Sequence, residues 1–129
     1  MVMKASKLLH TRLRVNNIEE SIKFFTTVLG MEVVRKTQSP RGSILAFLKL
    51  PGSDEEIELC YYPGSGKVNV PPDLMHLAFE VKNLEQFREH CSKLGYQFSD
   101  GPTVTSNGTK FAFIDHPDGY EIELIERNQ

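Results

Sequence analysis

Glu56-Ile57-Glu58-Leu59 and Glu121-Ile122-Glu123-Leu124 are the same four residues, 65 positions apart, one near the end of each half of the chain. Working outward from them, the halves keep matching. The first holds Leu9-His10, Val15, Asn17-Ile18-Glu19, Gly30 and Ala46-Phe47; the second holds Met75-His76, Val81, Asn83-Leu84-Glu85, Gly95 and Ala112-Phe113. His10 and His76 lie 66 positions apart, so the copies differ by a one-residue slip. Each copy brings one histidine and one glutamate to equivalent places. Two imidazoles and two carboxylates are a ready ligand set for a divalent metal.

Local patterns supply the elements between these landmarks. From Leu9 to Val15 the apolar and polar residues alternate, with Leu9, Thr11, Leu13 and Val15 on one face and His10, Arg12 and Arg14 on the other, which is the period of a strand. Asn17 is suited to cap a helix, Glu20 follows as in a capping box, Ile18, Ile22, Phe25 and Leu29 recur at helical spacing, and Gly30 fits the end. Strands are expected at 31–35, 43–50 and 56–62, with turns at Pro40-Arg41-Gly42 and Pro51-Gly52-Ser53-Asp54. The second half repeats the order: a strand from Met75 to Val81, a helix capped by Asn83 and ended by Gly95, a loop from Gly101 to Gly108, and strands at 110–115 and 120–126 around His116-Pro117-Asp118-Gly119. The fold class is therefore α+β, two βαβββ modules forming paired sheets around a cavity. Module one spans 7–62, a proline- and glycine-rich linker 63–72, and module two 73–127, all within one domain of 1–129.

In Glu56–Tyr62 the alternation puts Glu56, Glu58, Cys60 and Tyr62 on one face; in the last strand Glu121, Glu123 and Ile125 share a face opposite Ile122 and Leu124. A polar sheet face looking at water explains any one of these residues. It does not explain why histidine, neither a strong strand former nor a usual surface choice, recurs at the same place in both copies. Cys60 has Ile125 as its repeat partner, which makes it a bystander.

The totals exclude several classes. A net charge of −2 gives no footprint for nucleic acid or an anionic membrane, and no apolar run is long enough to cross a bilayer. The opening Met1-Val2-Met3-Lys4 lacks a secretory apolar stretch, and two cysteines are too few for a disulfide framework, so reduced thiols and a cytoplasmic setting are expected. No phosphate-binding glycine pattern occurs.

Leu9-His10-Thr11-Arg12-Leu13-Arg14-Val15, Leu29-Gly30-Met31, Ile57-Glu58-Leu59, Met75-His76-Leu77-Ala78 and Asp115-His116-Pro117-Asp118-Gly119-Tyr120-Glu121-Ile122-Glu123-Leu124 resemble glyoxalase I (lactoylglutathione lyase), of the vicinal oxygen chelate superfamily. The resemblance runs from about Leu8 to Glu126 and includes a close match to the family's DPDGY-x-IEL ending. It implies a homodimer with metal sites at the subunit interface, in which His10, Glu58, His76 and Glu123 are the ligands. One divalent metal per site is implied, nickel or cobalt ahead of zinc because the chain is short and free of insertions. The implied reaction is conversion of the methylglyoxal–glutathione hemithioacetal to S-lactoylglutathione, with Glu123 as the base, Glu58 as its pseudo-symmetric counterpart, and the metal stabilising an enediolate. Arg14 matches the arginine near the thiol's carboxylate. Tyr62 stands where the family has an asparagine that helps hold glutathione, and the family's lysine before the penultimate strand has no counterpart. The alternatives are another metal enzyme of the superfamily (an epimerase, a thiol transferase or a dioxygenase) or a metal-free small-molecule-binding protein, a class that lacks the ligand residues.

Overall fold

The computed structural model describes residues 2–128. They form two compact units, residues 2–68 and 69–128, with the same architecture. In the first, the strand β1 (His10–Arg14) leads to the helix α1 (Ile18–Thr27) and then to β2 (Glu32–Gln38), β3 (Ile44–Lys49) and β4 (Glu56–Tyr61). In the second, β5 (His76–Glu80) and α2 (Leu84–Lys93) precede β6 (Asp100–Val104), β7 (Lys110–Asp115) and β8 (Glu121–Glu126). The sheet orders are β1-β4-β3-β2 and β5-β8-β7-β6, so the first strand of each unit is joined to its last. That pairing is parallel, while all the others are antiparallel.

One helix covers one face of each sheet. Asn17 and Asn83 cap α1 and α2 by accepting from the Glu20 and Gln86 backbone N–H, and Gly30 and Gly95, at φ +75 and +88, provide the left-handed residue after each helix. The buried stripe of α1 comprises Ile18, Ser21, Phe24 and Phe25, with Val28 and Leu29 just beyond; Ile22 is only half-buried. These residues meet the inward faces of the strands, where Leu13, Ala46, Leu48 and Leu59 are fully buried. In the second unit Leu84 and Cys91 of α2 share a core with Ala112, Ile114, Ile122 and Leu124. The opposite faces, holding His10, Glu58, His76 and Glu123, are left without a helix.

Two expectations from sequence change. The run Gly101–Gly108 is not a loop throughout, because Asp100–Val104 pairs with β7 through a register shift between Asp100 and Thr103. Glycine and proline hide a strand of this kind, since a bulge needs their unusual backbone. Gly101 sits at φ +86, and a Cβ there would lie 2.9 Å from the Phe111 carbonyl oxygen. The stretch after β4 is also more ordered than its composition suggests. Pro63–Ser65 forms a turn of 3₁₀ helix, and Asn16 brackets buried Val68 by accepting from its N–H and donating to its carbonyl at 2.7 and 2.9 Å. No helix of the described residues is long and apolar enough to cross a membrane.

His116, in the turn between β7 and β8, is 2% exposed. Its Nδ1 accepts from the Asp118 N–H at 2.9 Å, and its ring meets Tyr120 edge-on. Burial pushes the imidazole from 6.5 down to about 4, against the opposing pull of the Asp118 carboxylate. A neutral ring fits, because protonating Nδ1 would remove the acceptor. Between the two values the unfolded chain binds the extra proton, so stability should fall as pH drops through this window, by up to about 3 kcal/mol. Urea midpoints measured at about pH 7, 5.5 and 4 should fall less steeply for His116→Asn, which keeps an acceptor but does not titrate.

Candidate metal centre

The β1–β4 and β5–β8 pairings bring the histidine near the start of each unit beside the glutamates near its end. Their registers are the same: His10 lies opposite Glu56 and Arg12 opposite Glu58, while His76 lies opposite Glu121 and Ala78 opposite Glu123. Side chains two apart along a strand share a face, so each histidine reaches diagonally to the inner glutamate. His10 Nε2 is 3.7 Å from Glu58 Oε1, and His76 Nε2 is 3.2 Å from Glu123 Oε1. The outer glutamates are engaged elsewhere. Glu56 takes two hydrogen bonds from Arg35, and Glu121 accepts from the Asp73 N–H.

A phenylalanine backs each pair. Phe47 lies opposite Glu58 and Phe113 opposite Glu123 across the antiparallel pairings. Each meets its histidine edge-on, with ring centroids 5.6 and 5.5 Å apart and the same interplanar angle of 80°. The rings limit the tilt of the imidazoles and keep both Nε2 atoms on the glutamate side. Sequence reasoning noted Phe47 and Phe113 only as repeat landmarks; their place in the repeat was the available signal.

The units differ at one point. Arg12 grips Glu58 with its fork, Nε to Oε1 at 2.6 Å and Nη2 to Oε2 at 3.3 Å, and this bond holds the guanidinium above its ordinary value. Its counterpart Ala78 is too short to reach Glu123. The Glu58 side chain is 4% exposed and the Glu123 side chain 18%.

Arg14 and Tyr62 also come together, at a cleft of about 420 Å³ in the first unit that Arg12, Arg41, Ser39 and Ser43 help to line. Arg14 donates to the Ser65 carbonyl at 3.2 Å. Arg41, which sequence reasoning placed only in a turn, adds a third guanidinium, so the cleft suits an anionic group. Cys60 lines the same cleft but is 2% exposed.

The donors fit a divalent metal of intermediate softness, each unit presenting one imidazole nitrogen and one carboxylate oxygen toward each other. Among the described residues no three His, Cys, Asp or Glu side chains cluster closely enough to hold a metal ion. Each unit by itself brings together one histidine and one glutamate.

The sequence matches the Glyoxalase/Bleomycin resistance protein/Dioxygenase superfamily over residues 7–124. The chain belongs to this superfamily. Among similar proteins, the lactoylglutathione lyase of Shigella flexneri is 39% identical over 127 residues, covering 93% of this chain and 92% of that protein. A probable lactoylglutathione lyase of Synechocystis is 33% identical over 123 residues, covering 92% and 94%. The crystal structure of glyoxalase I from Zea mays superposes with a TM-score of 0.83 at 30% identity; the match covers 95% of this chain and 45% of the maize chain. This glyoxalase-superfamily member is a lyase enzyme with the α+β fold of its relatives.

Both cysteines are buried and free, and burial pushes the Cys91 thiol up to about 11. Neither should react with a thiol-specific chromogenic disulfide in the native protein, whereas both should react in denaturant. Fast native labelling of Cys60 would give the cleft a nucleophile that its burial argues against.

Proposed function

We propose that this chain catalyses the metal-dependent isomerisation of the methylglyoxal–glutathione hemithioacetal to S-lactoylglutathione. The observation that carries the reading is the repeated pair, His10 facing Glu58 and His76 facing Glu123 on the helix-free face of each sheet. The names of the Shigella and Synechocystis relatives supply the reaction. A divalent site takes at least four donors, so we infer a homodimer in which His10 and Glu58 of one chain join the partner's His76 and the partner's Glu123. Nickel or cobalt suits these donors, with zinc the next choice. When bound, the metal would act as a Lewis acid for the negative charge that develops on the substrate oxygens.

The chain's own residues do the remaining work. Glu123 takes the C1 proton and returns it at C2. A general base needs a lone pair aimed at the proton within hydrogen-bonding reach, and Glu123 has Ala78 beside it where Glu58 has Arg12. Both oxygens of Glu58 already accept from Arg12, which leaves it less free than Glu123 to take a proton. Arg14 and Arg41 hold the anionic end of the thiol carrier in the first unit's cleft, with the Tyr62 ring forming one wall.

Four variants test the reading. His76→Ala should lose metal while keeping the fold, because the apolar core lies on the other face of the sheet; full occupancy would remove His76 from the site. Glu123→Gln should keep part of its metal and lose about 10²-fold or more in turnover, the scale of a positioned general base. Glu58→Gln should lose less at equal metal content, and the opposite order would exchange the two roles. Inactive His10→Ala and His76→Ala chains, mixed, should regain part of the activity, because one site of the mixed dimer keeps all four ligands. A fully active monomer in sedimentation would sink the shared-site arrangement.

A further inference from the structure

The two half-sites match in register, in the histidine–glutamate approach and in the backing phenylalanine. They differ at Arg12 and Ala78. The difference falls on the ligating atom itself, since Glu58 Oε1, the oxygen that faces His10 Nε2, is the one that accepts the 2.6 Å bond from Arg12 Nε. Arg12 is half-exposed, at 54%, so it can swing out into solvent without disturbing the core. Arg35 does not substitute for it, because that guanidinium is committed to Glu56 and lies over the Phe47 ring at 4.0 Å.

We propose that Arg12 is a positioning residue that competes with the metal for Glu58, holding the carboxylate in the metal-free protein and yielding it when the metal arrives. The inference rests on the metal-site reading above. A divalent ion bound to Oε1 would draw on the same oxygen that accepts the short Arg12 bond and would be repelled by the guanidinium charge beside it. The His76–Glu123 half carries no such cost, because Ala78 brings no cation to its glutamate. Arg12 therefore weakens metal binding while keeping buried Glu58 paired in its absence, which prevents an uncompensated carboxylate on a nearly closed surface.

The test measures affinity for Ni²⁺ and Co²⁺ alone, by competition between a chromophoric chelator and metal-stripped protein. Arg12→Met removes the fork and keeps the length of the apolar stem. It should bind both metals on the order of tenfold more tightly, a factor worth about 1.4 kcal/mol, the scale of a charge-assisted hydrogen bond to a nearly buried carboxylate. Arg12→Lys, which keeps the charge but not the fork, should fall between wild type and Arg12→Met. Ala78→Arg, at an exposed position, installs the missing cation opposite Glu123 and should weaken binding by a similar factor. It also serves as the reciprocal test if Arg12→Met folds poorly. Equal or weaker binding by a folded Arg12→Met, or no change in Ala78→Arg, overturns the competition while leaving the metal site intact. Absence of metal binding in wild type and all variants overturns both the competition and the metal-site reading.

Discussion

Everything chemical in this molecule depends on one backbone feature, the parallel pairing of the first strand of each unit with its last. The other neighbours in each sheet are joined in sequence through turns and pair antiparallel, as local connections allow. The β1–β4 and β5–β8 pairings are different. They close a long stretch of chain and so cost more loop entropy than any other contact in the unit. The apolar strand faces against a single helix offset that cost: Leu13 beside Leu59 under α1, and Ile122 and Leu124 under α2. With the pairing closed, the alternation of side chains leaves no freedom in what appears on the other face. A histidine and a glutamate that are far apart in sequence become diagonal neighbours.

The two units then show how much chemistry a single side chain can change. Register, ring geometry and histidine approach are nearly the same in both, down to an 80° angle between imidazole and phenylalanine. A lone arginine in the first unit shields one glutamate, and a lone alanine in the second leaves the other open. Duplication supplies matching histidine–glutamate pairs, and divergence at one neighbouring position gives their two glutamates different surroundings. The same face of the first unit gathers Arg12, Arg14 and Arg41, so the side that protects its glutamate is also the side equipped to hold an anion.

Polar groups on this face are satisfied in ways that sort them by role. Glu56 and Glu121 are tied to Arg35 and to a backbone N–H, which fixes strand ends and the chain entering β5. Glu58 and Glu123 are tied to groups that can move, a half-exposed guanidinium and half-exposed imidazoles. His116, by contrast, is locked into its turn as a neutral acceptor, and its chemistry is structural. Burial thus separates His116 from the half-exposed His10 and His76.

The sequence by itself determined the duplication, the strand and helix types, both N-caps, the buried faces and the four candidate donors. Each rests on a short-range period or on comparing one half with the other. It did not reveal β6, because a bulged strand that begins with Gly101 and Pro102 carries the composition of a loop while its pairing with β7 is made at a distance. Nor did it reveal that Val68 is pinned by Asn16, since hydrogen bonds to main-chain atoms leave no mark in residue type. Only the tertiary structure decided which glutamate of each Glu-x-Glu pair faces its histidine, because both lie on the same face and the register of a parallel strand chooses between them. Only the tertiary structure put Arg12 on Glu58: the sequence places arginine and glutamate on two separate strands, and their contact exists because those strands are brought side by side.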